Sequence, residues 1–381
     1  MLLSCVVYTS LAALLFVLAR RVAWQPLASG QAMRQQHSVP WEYVASVFIF
    51  AVIAGARWHT GYDHASYVSQ YVTLQNYHFF TRDFEPGFML LTQAFASSGL
   101  HFFFYFFTIA AIELAAIYVA LRHHPRVLSV VMLLLVLGPT FVHLMNTVRQ
   151  GLVECFVPLV VMLLYDKKKL AAAILIVLLT LFHYTAALLL LLLPLRPLEL
   201  KVNRTVLVVL FVLVVALSIY QVWFNGLIAV SADWLANVSQ SYAAQLGRLV
   251  EGEVNMAHIG PVKVLLLTTQ FITLWLMRDV SQHYGSHKGI SLLIVLASVY
   301  VLGTNLFSST TCFMQRPFEL FTICYLIVAA YTVLLLWDTR RKLWAGVLLG
   351  MHCSYIYLAI FKAVYAPDVV TTPFLYNTFL F

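Results

Sequence analysis

Apolar runs of about 17–24 residues follow one another along most of the chain, separated by short polar breaks. A run of that length crosses the ~30 Å hydrocarbon core of a bilayer as an α-helix. Lipid offers the backbone no hydrogen bonds, so only segments that satisfy their own polar groups can span it. The pattern therefore predicts an all-α, polytopic integral membrane protein with about 10–12 transmembrane helices. Full spans are expected at 1–19, 41–57, 102–121, 127–144, 149–165, 205–224, 261–277, 289–307, 317–337 and 343–361. There is no internal repeat, so 1–381 reads as one membrane domain with two longer outer-face loops, 58–101 and 225–260.

Two apolar segments fit a single crossing poorly. As one helix, 170–194 places eight basic residues after it outside (Arg196, Lys201, Arg204, Arg278, Lys288, Arg340, Arg341, Lys342) and four inside (Arg248, Lys263, Arg316, Lys362). Lys and Arg collect on the cytoplasmic side. A helical hairpin breaking near His183, Tyr184 and Thr185 reverses those counts and is the reading taken. Segment 86–100 is likewise taken as a re-entrant dip, which leaves Arg20, Arg21 and Arg34 inside. That choice rests on three basic residues against two.

Composition agrees with this class: 62% of the residues are hydrophobic and 10% charged, against roughly 25% charged in soluble domains. The net charge of +8 falls mostly in cytoplasmic loops and gives no reason to expect nucleic acid. The first segment lacks a basic start and is followed by Arg20 and Arg21. It reads as a membrane helix with its start outside rather than a cleaved signal peptide. Five cysteines without a CxxC indicate neither a disulfide framework nor a metal site.

Against this topology, Arg82, Arg149 and Arg316 lie on the unexpected side, close to the bilayer. Other polar residues gather near them. Asp63 and Tyr67 are four apart and share a face if helical. Asp83 and Glu85 precede Pro86, which suits a helix start. His143 and Asn146 precede Arg149 and Gln150, with Glu154 about one turn deeper. Gln315 and Arg316 open another span, with Glu319 on the same face. His183 sits at the hairpin tip. Charge inside a bilayer costs roughly 2.5–3.5 kcal/mol on insertion scales, and so tends to be paired and functional.

Each residue also has a structural explanation. Arginines at helix ends snorkel to lipid phosphates, and Glu154 and Glu319 fit as neutralising partners for the arginines. His183 fits as a packing residue as well as a catalytic one. Glu113, in mid-span, has no evident partner. The run FFFYFF at 102–107 reads first as an interfacial, lipid-facing belt.

Taken in order, DHASYVSQY, FEPGFMLL, NTVRQGLVECF, YDKKK, LFHYTAALLL and MQRPFELF resemble the EpsG branch of the Wzy-type polysaccharide polymerases, from about residue 61 to 325. Gly151 and Pro317 depart from that pattern. The resemblance implies an enzyme of the bacterial inner membrane acting at its outer face. Its substrate would be oligosaccharide repeat units on undecaprenyl pyrophosphate, joined with release of the lipid diphosphate, for O-antigen, capsule or exopolysaccharide. The implied transfer is inverting and needs no cofactor and no metal. A chain-length regulator is an implied partner. On this reading Arg149 and Arg316 bind pyrophosphate, with Tyr67, Glu154 and Glu319 around them. Asp63 or Glu85 acts as base, and His183 and Gln150 position substrate. Two other classes stay open: a lipid-linked glycan transporter, and a membrane acyltransferase acting on surface polysaccharide. The first wants polar residues along a path across the membrane; the second wants cytoplasmic access for an acyl donor.

Overall fold

A computed structural model describes residues 1–23, 40–61, 63–80, 83–194, 203–219, 260–308, 312–366 and 374–379. Arg82, Arg248 and nearly all of 225–260 lie outside the described residues. The first half of the fold consists of α1 (Leu2–Ala23), α2 (Trp41–Gly55), α3 (His64–Tyr77), α4 (Pro86–Ser97), α5 (Phe102–Leu121), α6 (Pro125–Leu137), α7 (Thr140–Asn146) and α8 (Val148–Tyr165). It continues through α9 (Lys169–Thr180), a 3₁₀ helix (Tyr184–Leu192), α10 (Arg204–Ile219), α11 (Pro261–His283), α12 (Ile290–Leu306), α13 (Cys312–Glu319), α14 (Thr322–Asp338) and α15 (Lys342–Tyr365).

The protein is a multi-pass membrane protein. The helices α1, α5, α8 and α15 are long and apolar enough to cross a membrane, and the bent pair α6–α7 adds a fifth candidate. Shorter apolar helices, among them α2, α9, α12 and α14, accompany them. Two expected spans are corrected. The segment 127–144 is not one helix: it bends by 66° between α6 and α7. Pro139 lacks an N–H and pushes Gly138 out of the α region, to φ −86 and ψ −170. The segment 317–337 begins with a separate short helix, α13, whose Phe318 stacks on Phe307 with ring centres 5.5 Å apart. Gln315, Arg316 and Glu319 therefore precede the span instead of opening it.

The hairpin expected at 170–194 is present: α9 ends at Thr180 and the 3₁₀ helix packs back against it. Among the described residues, parts of several loops expected on the cytoplasmic side gather at one end of the bundle. There Arg126 pairs with Asp338 at 2.6 Å, Lys288 with Asp166 at 2.9 Å, and Arg204 with Asp279 at 2.6 Å. His124 stacks on His287 at the same end. At the opposite end a C-terminal strap meets three elements. The Tyr376 N–H donates to Ser4 Oγ (3.0 Å), its hydroxyl donates to Ile53 O (2.8 Å), and the Trp58 N–H donates to Asn377 O (2.8 Å).

A small aromatic core lies under that second end, built from Tyr67, Tyr71, Phe88, Tyr105 and Phe106 with Val148 and Leu152. This corrects the reading of FFFYFF as a lipid-facing belt. Phe102, Tyr105 and Phe106 are buried and only Phe104 is largely exposed. The helical period turns half of the run inward, where it carries α3 and α4.

Candidate functional site

Pro86 opens α4, and Glu85 just before it is buried with its side chain unused as a cap. Its carboxylate is engaged elsewhere. Arg149 Nη1 donates to Glu85 Oε2 at 2.5 Å, and His183 Nδ1 lies 2.8 Å from Oε1. The Tyr184 N–H also points to Oε1 at 3.4 Å. Two backbone features bring these groups together. Gly87 N–H donates to Leu181 O at 2.8 Å, which joins the start of α4 to the hairpin tip. Glycine suits this close approach, because a Cβ at position 87 would sit 2.9 Å from Leu181 O. The break before α8 places Arg149 in that helix's first turn.

The Arg149 guanidinium lies over two aromatic rings, 4.8 Å from the Phe84 centroid and 5.7 Å from that of Phe88. Such contacts contribute about 0.5–2 kcal/mol each and steady the planar group. Its Nε approaches the Tyr67 hydroxyl at 3.5 Å. Tyr67 lies within electrostatic reach of Asp63, Arg149 and Arg316, so these residues share one neighbourhood. The Asp63 N–H donates to Asn146 Oδ1 at 2.9 Å, which ties the start of α3 to the α7–α8 break. Among the described residues, no hydrogen bond or ion pair engages the Asp63 carboxylate or the Arg316 guanidinium.

A second cluster lies directly beneath. Glu154 is fully buried and binds His143 Nε2 at 2.9 Å; it also accepts from Gln150 Nε2 at 3.0 Å. Gln150 Nε2 reaches Glu319 Oε2 and the Arg316 carbonyl as well, each at 3.2 Å. The expectation that Glu154 and Glu319 neutralise the arginines is thus corrected for Arg149, whose partner is Glu85. Gln150, Glu154 and Glu319 instead link α8 to α13. Gly151 lets α8 lie close to α5 and α7, since a Cβ there would stand 3.0 Å from Leu144 and 3.3 Å from Glu113 Oε1.

Burial pushes the Glu85 carboxyl up, but the His183 hydrogen bond and the charge and hydrogen bond of Arg149 outweigh it. The net result is a carboxyl held down to about 2. Glu85 is therefore an anchor for two neighbours and a poor proton acceptor. His183 presents Nδ1 to that anchor, and since a carboxylate only accepts, Nδ1 is the donor of this contact. Nε2 is buried and has no hydrogen-bond partner among the described residues. Sequence reasoning overlooked Phe84 and Phe88 as the floor under Arg149. Their spacing around Pro86 was the available signal.

The fold and this site define a polytopic helical membrane protein with a partly buried arginine–glutamate–histidine centre at one end of its bundle. The chain belongs to the EpsG family, whose profile matches residues 41–377. Membership places it, in general terms, with the polysaccharide polymerases and their glycosyl transfer chemistry. No curated protein and no solved structure matches the chain significantly.

Proposed function

We propose that the protein joins undecaprenyl-pyrophosphate-linked oligosaccharide repeat units at the outer face of the bacterial inner membrane. The observation that carries this reading is the double engagement of Glu85 by Arg149 and His183. It sets a cation suited to a diphosphate next to a base suited to a hydroxyl. In the step proposed, the acceptor sugar O–H gives its proton to His183 Nε2 and its oxygen attacks the anomeric carbon of the donor. The bond from that carbon to the diphosphate oxygen breaks, and undecaprenyl diphosphate leaves with the electron pair. Displacement from the opposite face inverts the anomeric centre. Arg316 and Arg149 offset the charge that develops on the leaving group. Gln150 and Glu319 keep the Arg316 backbone against α8, Glu154 holds Gln150, and Tyr67 steadies Arg149. Asp63 remains free to bind a sugar hydroxyl.

The test is conversion of purified lipid-linked repeat units into longer chains by purified protein, without nucleotide or acyl donor. Wild type should give a ladder, and Arg149→Ala should leave single units. A ladder from Arg149→Ala at normal protein levels refutes the assignment. Translocation of the lipid-linked unit without elongation makes the protein a transporter, and a requirement for an acyl donor makes it an acyltransferase.

A further inference from the structure

Arg57 follows α2 on the end of the bundle that carries the site, yet only 2% of it is exposed. Its Nη1 donates to Ala54 O and its Nη2 to Met145 O at 3.0 Å, and its guanidinium lies 4.3 Å from the Phe106 centroid. Nε has no partner. Glu113, which the sequence leaves unpartnered in mid-span, has a buried Oε1 that is equally unmatched. Both side chains line one small cavity with Leu144, Met145 and Val148, and its free volume is about 10 Å³. That is room for about one water molecule, which needs two or more polar partners to be held. A donor with no acceptor and an acceptor with no donor thus belong to two residues that line the same space.

We propose that Arg57 and Glu113 share a buried water there and together brace the break before α8, which makes Arg57 a positioning residue for Arg149. Arg57 holds the Met145 carbonyl at the end of α7. Glu113 stands against Gly151 in the first turn of α8. Arg149 lies between these two points, and neither residue of the pair touches it. The role rests on the polymerase reading above, whereas the water does not.

Two measurements test the proposal. A high-resolution cryo-EM map of the wild-type protein should show density bridging Arg57 Nε and Glu113 Oε1; an empty cavity there overturns the water. The second compares Arg57→Lys and the apolar pair Arg57→Met with Glu113→Leu, in protein matched for yield and thermal stability. Replacing two buried polar partners by apolar residues of similar size is often tolerated by the fold, so the double variant separates folding from positioning, and it stands in if Arg57→Lys fails to fold. Turnover should fall by about 10- to 100-fold, the scale expected when a binding group is displaced by about 1 Å. KM for the lipid-linked unit should rise in Arg57→Lys, and cryo-EM of the double variant should show the Arg149–Glu85 contact lengthened. If Arg149→Ala abolishes elongation while both Arg57 variants match wild type, the positioning role fails and the polymerase reading stands. If Arg149→Ala elongates normally, the reading itself fails.

Discussion

His183 Nδ1 lies 2.8 Å from Glu85 Oε1, although 98 positions separate the two residues in the chain. The contact exists because the chain turns back at the α9 hairpin tip, and Leu181 there accepts from Gly87 at the start of α4. With the other carboxylate oxygen on Arg149, a single acid fixes both a cation and an imidazole.

Replacing His183 by Ala should lower turnover by about 10²–10⁴-fold, the usual contribution of a positioned base. KM for the lipid-linked unit should change little, because Arg149 keeps its anchor. Single-turnover kinetics with purified repeat units would measure this, and an unchanged rate would remove His183 from the reaction.

Acid should weaken the site in a defined window. The Glu85 carboxyl drops from its ordinary 4.5 to about 2 in the folded protein. A depressed carboxyl contributes stability that is complete above the ordinary value and is lost as pH falls through the folded one. Wild type should therefore be more stable than Glu85→Gln at neutral pH, and the gap should narrow between about 4.5 and about 2. Thermal unfolding in detergent across that range checks the sign. A gap that widens toward acid would contradict it.

Gly87→Ala should cost about 1–3 kcal/mol, the range for forcing atoms into packed space. The added Cβ meets Leu181 at 2.8 Å, and the carbonyl it presses on belongs to the hairpin tip. Activity should fall further than stability, since His183 lies two residues beyond. Wild-type melting and elongation from this variant would show that α4 and the tip do not need their close approach.

The resemblance raises the expectation of a larger apolar residue where this chain has Gly151. Gly151→Leu should nevertheless destabilise by about 1–3 kcal/mol, since Leu144 and Glu113 leave no room beside α8. It should also part Gln150 from Glu319 and shorten the polymer. Full-length polymer at wild-type yield would argue that α7 shifts freely.

Much of this architecture was legible beforehand. Run length marked most of the helices, Pro86 marked the start of α4, and the uneven count of basic residues favoured a hairpin over a single crossing at 170–194. The break at Gly138 and Pro139 was written in the chain as well, but an apolar run of spanning length concealed it. Gln150 and Glu154, four apart on α8, were legible as neighbours; the contact of His143 with Glu154 required the break between α7 and α8. That Arg57 and Glu113 line one cavity had no local signature, because they come from separate parts of the chain.

By itself the sequence determined the medium, the helices and their alternation between two ends, since apolar length and basic bias are properties read along one dimension. Only the tertiary structure decided which acid serves which cation. Glu154 and Glu319 lie nearest to Arg149 and Arg316 in sequence, yet Glu154 binds His143 and both accept from Gln150. Glu85, 64 positions away, takes Arg149. Coulomb energy and hydrogen bonding depend on distance and direction in space, and in a folded bundle these are set by where helices break and which faces they bury.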